Sequence, residues 1–156
     1  MRFRVLFLLF LSAILLLSAC SSPEAETSKV PFQTYTIDQF LETVSVGAGY
    51  FNSDESKLLV HSNETGIFNA YSIDTLTGDK APLTKSETES VFAVGYMPDS
   101  ESILYTSDKG GNEINHLFLQ NPEGEARELT EGEETRELFY GFSHDLDSIF
   151  TGNNSR

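Results

Sequence analysis

The sequence predicts an all-β fold built from repeated four-stranded antiparallel sheets, and three observations carry that prediction. Residues 49–84 align without a gap with residues 95–130, at an offset of 46. Nine of the 36 aligned positions are identical, whereas average composition would give about two. Each copy divides into four short strand-like runs separated by turn-forming residues. A third copy begins at Gly141 and holds 16 residues.

The four runs of the second copy are separated by proline, glycine, asparagine and aspartate, which supply the fixed or positive φ that tight hairpins need. A period in the forties with four strands per repeat is typical of a β-propeller blade. The sequence therefore predicts a β-propeller fragment of two four-stranded blades plus the start of a third. The predicted blade-like repeats are 45–90, 91–136 and 137–156 (partial), and the runs of the second are 91–97, 103–107, 114–120 and 126–130.

Alternation within the third of these runs predicts how that strand is buried. His116, Phe118 and Gln120 alternate with Leu117 and Leu119. Because successive side chains of a strand point to opposite faces, we expect one face to be more buried than the other.

A short helix is predicted before the first blade. Thr36 and Gln39 have the spacing of a capping box, in which the threonine caps the helix and the glutamine reaches back to it. Phe40 and Leu41 follow and give the helix an apolar side.

The first twenty residues have the pattern of an export signal. Arg2 and Arg4 precede an apolar run, 5–17, that is too short for a comfortable membrane span and ends in small residues. Residues 17–20, LSAC, resemble the lipobox of bacterial lipoproteins, and Cys20 is the only cysteine in the chain. An ordinary secretory signal with an incidental cysteine is the alternative. We predict a signal peptide over 1–19 and cleavage between Ala19 and Cys20.

The lipobox resemblance implies a membrane-anchored protein. Acyl chains on Cys20 would bind membrane lipid without a spanning segment, and more than one chain gives stable anchoring. Residues 20–33 then form the lipidated cysteine and a flexible tether, since they are mostly small, polar and charged. Ser21 stands where inner-membrane lipoproteins of some Gram-negative bacteria carry aspartate, so the resemblance favours the outer membrane, with the protein facing the periplasm or the cell surface.

Charge excludes one class of partner. The chain carries 24 acidic and 10 basic residues, a formal net charge of −14. Phosphate backbones would repel such a chain, so we expect no nucleic acid partner. Hydrophobic residues make up 39% of the sequence, which argues against disorder throughout.

The repeats resemble TolB-type propeller repeats. Residues 53–59 and 97–104 are similar to the "SPDG" start of those repeats, 106–112 to their "TSDRGGN" turn, and 128–130 to their closing "RLT". The lead-in 35–43 resembles the segment before the propeller in bacterial prolyl oligopeptidase-family serine peptidases. The resemblance covers about residues 34–156, predicted as one incomplete propeller. It is more specific for the propeller than for the enzyme family.

In that family the propeller caps a C-terminal α/β-hydrolase domain and filters the peptides that reach its catalytic triad. The nucleophile motif G-x-S-x-G does not occur in this sequence. Ser143, His144 and Asp145 are adjacent, but a triad is assembled from residues distant in sequence, and alignment with the second copy makes these three hairpin residues. We therefore predict no catalytic residue in this chain.

Two further groups of residues are candidate sites. Dipeptidyl peptidases of the family hold a substrate amine with a glutamate pair, and residues 131–134, EGEE, are a candidate, although an inter-blade solvated loop fits the charge run better. His61 and His116 occupy different repeat positions, so we predict no metal site. No cofactor is expected either.

Three hypotheses for function follow. The leading one is the non-catalytic propeller of a membrane-anchored serine peptidase, which gates or docks peptides for a hydrolase domain missing from this chain. The second is a TolB-like scaffold that binds a peptide or protein ligand at the cell envelope. The third is a short lipoprotein that completes its propeller by oligomerising. Because two blades and a fragment cannot close a ring, we expect exposed apolar faces and a tendency to aggregate.

Overall fold

The structure is a computed structural model that describes residues 32–155. Residues 38–155 belong to one compact unit, which holds all the described strands, and residues 32–37 belong to another. The one described helix, α1, buries no residue. The elements in chain order are α1 (Ile37–Leu41), β1 (Val46–Phe51), β2 (Lys57–Ser62), β3 (Asn69–Asp74), β4 (Lys80–Pro82), β5 (Val91–Tyr96), β6 (Ile103–Ser107), β7 (His116–Gln120), β8 (Ala126–Glu128), β9 (Glu137–Phe142) and β10 (Ile149–Asn153).

The strands form three antiparallel sheets in chain order, so the all-β prediction is confirmed. Strands β1 to β4 make the first sheet, β5 to β8 the second, and β9 with β10 the third. Within each sheet, every strand pairs with the strand next to it in sequence, as expected for short hairpin connections.

The ungapped alignment of the first two copies is wrong by one residue in the first hairpin. The N–H of Asn52 donates to the carbonyl of Lys57, and the N–H of Met97 donates to that of Ser102. These equivalent turns are 45 residues apart, whereas Ser143 closes the corresponding turn of the third sheet 46 residues after Met97.

A longer loop in the second sheet restores the overall period. Ser62 pairs with Asn69 across β2 and β3, and Ser107 pairs with His116 across β6 and β7. The intervening loop has two more residues in the second sheet, so β3 and β7 are 47 residues apart. The turn between the third and fourth strands has one residue fewer in the second sheet than in the first. The offset is therefore 46 again at Thr84 and its counterpart Thr130.

A threonine closes each four-stranded sheet. The hydroxyl of Thr84 accepts a hydrogen bond from the N–H of Ala70 at 2.8 Å, and that of Thr130 accepts one from the N–H of Leu117 at 2.9 Å. All four residues are buried. Each hydroxyl therefore satisfies a buried backbone donor that would otherwise lack a partner.

Backbone hydrogen bonds then join one sheet to the next. The N–H of Val91, at the start of β5, donates to the carbonyl of Phe68 at 2.9 Å, and the N–H of Glu137, at the start of β9, donates to that of Asn115 at 2.9 Å. The main apolar core lies between the first and second sheets, where β5 packs on the face of the first sheet. Its buried members are Leu59, Ala70, Val91, Ala93, Tyr96, Ile103 and Tyr105.

Strand β7 is not buried on one face alone. Leu117 is 1% exposed, but Gln120, on the opposite face, is only 7% exposed. The Gln120 amide donates to the carbonyl of Leu83 at 2.8 Å, across the boundary between the sheets. Burial is therefore not confined to the leucine face, because this hydrogen bond lets a polar side chain be buried on the second face.

Large apolar side chains are exposed at both ends of the row of sheets. Val46 and Phe51 in β1 are 62% and 57% exposed, and Tyr140 and Phe150 in the third sheet are 69% and 58% exposed. No helix within residues 32–155 is long and apolar enough to cross a membrane.

Candidate binding groove between the first and second sheets

A groove of about 680 Å³ runs between the β4–β5 connection and the adjacent face of the second sheet. Its floor is apolar and largely buried, with Ile103 2% and Tyr105 8% exposed. The rings of Tyr105 and Phe118 stack with centroids 5.1 Å apart and planes 9° apart. Burial raises the pKa of Tyr105, so its phenol stays neutral and can donate a hydrogen bond. The volume lies in the range typical of ligand pockets.

One wall of the groove is the connection from β4 to β5, and Asn69 fixes its path. The Asn69 side-chain oxygen accepts hydrogen bonds from the Thr84 hydroxyl at 2.9 Å and from the Ser86 N–H at 2.8 Å. Its amide nitrogen donates to the Ser86 carbonyl at 3.0 Å. Asn69 is 2% exposed, and these bonds satisfy both ends of its amide. The wall is therefore held in place before any ligand binds.

The turn between β7 and β8 forms one end of the groove. The Asn121 side-chain oxygen accepts from the N–H of Glu125 at 2.8 Å, and the N–H of Gly124 donates to the Asn121 carbonyl at 3.0 Å. Gly124 has a φ of 92°, a left-handed conformation that glycine adopts without strain. The adjoining Glu123 is exposed at the rim.

The rim of the groove is mainly acidic. Glu89, Glu101 and Glu123 line it together with a single lysine, Lys85. Glu89 accepts a hydrogen bond from the N–H of Gly110 at 2.8 Å. Within residues 32–155, neither Glu123 nor Lys85 has a side-chain hydrogen bond or ion pair. An apolar floor with unpaired rim charges can bind an extended segment whose side chains alternate between apolar and charged.

Glu101 also ties the second sheet to the first. Its carboxylate lies 2.6 Å from the Lys57 ammonium and accepts from the Asn52 amide at 3.1 Å. The hydrogen bond from Lys57 lowers the pKa of Glu101, and the same contact raises the pKa of Lys57. The ion pair is about half exposed, so it contributes little free energy, whereas Asn52 is only 4% exposed and is satisfied by this contact.

Ala19 and Cys20, the predicted cleavage and lipidation residues, lie outside the described residues.

Ser143, His144 and Asp145, the predicted hairpin residues, lie in the turn between β9 and β10. The Ser143 hydroxyl donates directly to the Asp145 carboxylate at 2.5 Å, which lowers the pKa of Asp145, and accepts from the N–H of Ser148 at 3.0 Å. His144 is exposed and takes no part in these bonds. These contacts are those of a side-chain-capped turn.

The candidate glutamate pair lies on an exposed loop, as expected for a solvated connection. Glu133 and Glu134 line a second cavity, of about 440 Å³, whereas Glu131 does not. His116 also lines it and is hydrogen-bonded to Glu128. Within residues 32–155, no group of three or more histidine, cysteine, aspartate or glutamate side chains is placed to hold a metal ion.

His61 lies away from His116, inside the contact between the first and second sheets. Its ring meets the edges of Phe68 and Phe92, each with centroids 5.4 Å apart. Its Nδ1 is buried and has no hydrogen-bond partner among the described residues. Burial lowers the pKa of His61, partly opposed by the backbone of Ala93. His61 lies in strand β2, as predicted.

Sequence reasoning did not find the groove. Its floor comes from strands of one copy and its wall from the connection that follows the other, so no local motif marks it. The one signal in the sequence was a pair of aromatic residues, Tyr105 and Phe118, which lie opposite each other on the adjacent strands β6 and β7.

Comparisons with known proteins agree with the fold. No family model matches the chain, and no curated protein matches it. Among solved structures, the crystal structure of TolB from Acinetobacter baumannii matches with a TM-score of 0.54 at 18% sequence identity. The match covers 67% of this chain and 26% of the TolB chain, so this chain spans about a quarter of that protein. At this identity the likeness shows the fold alone: the antiparallel sheets have a TolB-like β-propeller fold. Membership of the prolyl oligopeptidase family is not shown by these comparisons.

Proposed function

We propose that this chain is a non-catalytic propeller module that binds an extended segment of a partner protein in the groove between the first and second sheets. The preferred segment alternates apolar or aromatic side chains with basic ones. The apolar side chains contact Leu83 and Phe118, which line the groove and are partly exposed, and the basic ones lie beside Glu123 and Glu89 at the rim.

The preformed groove is the observation that carries this proposal. Its wall is fixed by Asn69 and its floor by stacked rings, so little side-chain entropy remains to be lost on binding. The chain's net charge of −14 favours cationic partners and speeds their encounter at low salt. The TolB-like fold is compatible with a binding role.

Two synthetic peptides test the groove directly. One alternates lysine with phenylalanine, and the other replaces each lysine with glutamate; binding to the whole chain is followed by fluorescence anisotropy. We expect the lysine peptide to bind more tightly. Glu123→Lys should weaken that binding about fivefold, since reversing an exposed charge contact changes the free energy by about 1 kcal/mol.

A matched control separates a local effect from net charge. Glu131→Lys makes the same charge change at an exposed position that does not line the groove, so its effect should stay within about twofold at physiological salt because of screening. A photoreactive phenylalanine in the lysine peptide should crosslink to residues 82–91 or 118–126. Crosslinking mainly around Glu133 and Glu134, or equal effects of the two variants, would refute the groove assignment.

We also propose that the protein is exported and anchored to a membrane through Cys20. Support comes from the lipobox-like residues 17–20 and the basic residues before the apolar run. Labelled palmitate should be incorporated by the protein but not by a Cys20→Ser variant. Equal incorporation by both would show that Cys20 is not the lipidated residue. The outer membrane is the proposed leaflet, and fractionation of labelled cells would test it.

A second candidate function is the propeller of a serine peptidase, acting by gating or docking. The lead-in 35–43 and the repeat starts favour it, through the sequence resemblance described above. A fluorophosphonate probe that reacts with catalytic serines, followed by precipitation with an antibody against residues 38–155, tests it. A labelled product clearly larger than 17.3 kDa would support the peptidase, and an unlabelled product would reject it.

A further inference from the structure

The floor of the groove between the first and second sheets carries two hydrogen-bonding atoms without a partner among the described residues. They are the hydroxyl oxygen of Tyr105 and the side-chain oxygen of Gln120, and both residues line the groove. Tyr105 is 8% and Gln120 7% exposed. Gln120 uses only its amide nitrogen, which donates to the carbonyl of Leu83.

The contact with Leu83 determines which end of the Gln120 amide is left over. A carbonyl oxygen only accepts hydrogen bonds, so the atom 2.8 Å from it is the amide nitrogen, and the Gln120 oxygen remains as an acceptor. Among the described residues, the one fully buried side-chain polar atom without a partner is Nδ1 of His61. The Gln120 oxygen and the Tyr105 hydroxyl are therefore still accessible, and the groove is the opening that they share.

The fold does not require polar atoms at these two positions. Strand pairing makes Val60 the counterpart of Tyr105 in the first sheet, and Ile73 the counterpart of Gln120. Both counterparts are apolar. Because a largely buried polar group without a partner is unfavourable, the two atoms favour a ligand that satisfies them.

The two groups lie on one face of the second sheet at a spacing that suits an extended chain. Tyr105 pairs with Phe118, and Gln120 is two residues further along β7, so Tyr105 and Gln120 are diagonal neighbours. The backbones of such neighbours are about 7–8 Å apart. Two residues of an extended chain span about 6.7 Å, and its backbone groups point to the same side at that interval. A side-chain carboxamide, by contrast, carries its donor and its acceptor on one carbon atom.

We propose that Tyr105 and Gln120 form a subsite for the main chain of the bound segment. The Tyr105 hydroxyl donates to a main-chain carbonyl, and the Gln120 oxygen accepts from a main-chain N–H. This inference rests on the proposed function and deepens it, since the floor then binds the backbone of an extended segment while the charged rim selects among sequences. Both sheets that bound the groove are four-stranded and lie within residues 32–155, so neither atom belongs to a face at an end of the row of sheets.

Tyr105→Phe tests the subsite, because it removes one hydroxyl and keeps the ring that stacks on Phe118. Binding of the lysine peptide to the whole chain should weaken about fivefold, the effect of one net hydrogen bond. Urea unfolding should be unchanged, because the hydroxyl has no partner to lose among the described residues. An affinity within about twofold of the parent's, or a lower stability, would overturn the role of Tyr105.

Tyr96→Phe is the matched control. The Tyr96 hydroxyl donates to the Ser72 hydroxyl inside the contact between the sheets, and Tyr96 does not line the groove. This variant should lose stability but keep its affinity for the peptide within about twofold. Equal loss of binding by Tyr96→Phe and Tyr105→Phe would show that binding responds to the packing of the sheets, and would overturn the subsite.

Ester substitution in the lysine peptide tests the main-chain contact from the ligand's side. Each ester removes one N–H, and one position should weaken binding to the parent chain about fivefold. Gln120→Met removes the acceptor and keeps the side-chain shape, so it should abolish that difference between ester and amide. Absence of any sensitive position would overturn the main-chain contact. So would tighter binding, lost in Tyr105→Phe, of a peptide with glutamine in place of one phenylalanine, which would assign the subsite to a side-chain carboxamide.

The proposed function and this inference fail in different ways. If the lysine peptide binds and Glu123→Lys weakens it, but Tyr105→Phe and every ester leave the affinity unchanged, the groove remains the binding site and the subsite is wrong. If the peptide does not bind the parent chain, both are wrong.

Discussion

Replacing Thr84 with valine should destabilise the first sheet far more than the loss of one surface hydroxyl would. Thr84 is 9% exposed, and valine has nearly the same shape. The hydroxyl accepts from the Ala70 N–H at 2.8 Å and donates to the Asn69 side-chain oxygen at 2.9 Å. Ala70 is fully buried, so no water can replace the lost acceptor.

The cost follows from what each partner retains. The Ala70 N–H loses the bond to this hydroxyl, and a buried unsatisfied donor costs about 1–3 kcal/mol. The Asn69 oxygen still accepts from the Ser86 N–H at 2.8 Å, so its loss is that of one net hydrogen bond, about 1 kcal/mol. The free energy of unfolding should fall by about 2–4 kcal/mol, a large part of the stability of an ordinary domain.

Two further variants should lose less unfolding free energy than Thr84→Val. Thr130→Val removes the equivalent acceptor from the Leu117 N–H. Within residues 32–155, no bond from the Thr130 hydroxyl corresponds to the one from Thr84 to Asn69, so a loss of about 1–3 kcal/mol is expected. Thr151→Val makes the same change at an exposed strand position and should stay within about 0.5 kcal/mol.

Urea unfolding followed by far-ultraviolet circular dichroism, at one fixed protein concentration, measures all three variants. The reasoning is refuted if Thr84→Val unfolds within about 0.5 kcal/mol of the parent chain. It is also refuted if the order of Thr84 and Thr130 is reversed.

Two other predictions concern the contact between the first and second sheets. Burial lowers the pKa of His61 in the folded chain below its usual 6.5, so its contribution to stability should be complete above pH 6.5 and should decrease as the pH falls through the lowered folded pKa. His61→Gln should remove that part of the pH dependence in urea unfolding between pH 7.5 and 5, and an unchanged profile would contradict the assignment. Tyr96→Phe removes the hydrogen bond from the Tyr96 hydroxyl to the Ser72 hydroxyl, 3.1 Å apart and buried, and should cost about 1 kcal/mol in the same assay; a stabilised variant would show that this bond does not form.

The strands could be predicted because turn residues and apolar runs mark them locally. The predicted runs of the second copy differ from β5 to β8 by at most two residues at each end. The alignment of the two copies with each other could not be established in the same way. Over the first hairpin, residues 46–62, offsets of 45 and 46 each give five identical positions, so sequence identity alone did not separate the two. Backbone hydrogen bonds decided in favour of 45.

The groove was not predicted because it depends on residues that the copies do not share. Thr84 and Thr130 recur because each four-stranded sheet needs a side-chain acceptor for a buried backbone N–H of its third strand. By contrast, Gln120, which joins the groove's floor to its wall, corresponds to Ile73 in the first sheet, and Glu101 corresponds to Ser56. A search for repeated residues therefore passes over the positions that give this groove its chemistry.

The same distinction indicates where a partner can be specified. Shared positions carry closure hydrogen bonds and core contacts, so changing them alters the stability of the sheets before it alters recognition. Lys85 and Glu131 illustrate the other kind of position: they are 46 residues apart, in equivalent connections, and carry opposite charges. Of the two, only Lys85 lines the groove. Because the backbone repeats while such charges do not, each inter-sheet groove in this fold can present its own pattern of charge on the same supporting framework, and selectivity for one segment follows from which copy it meets.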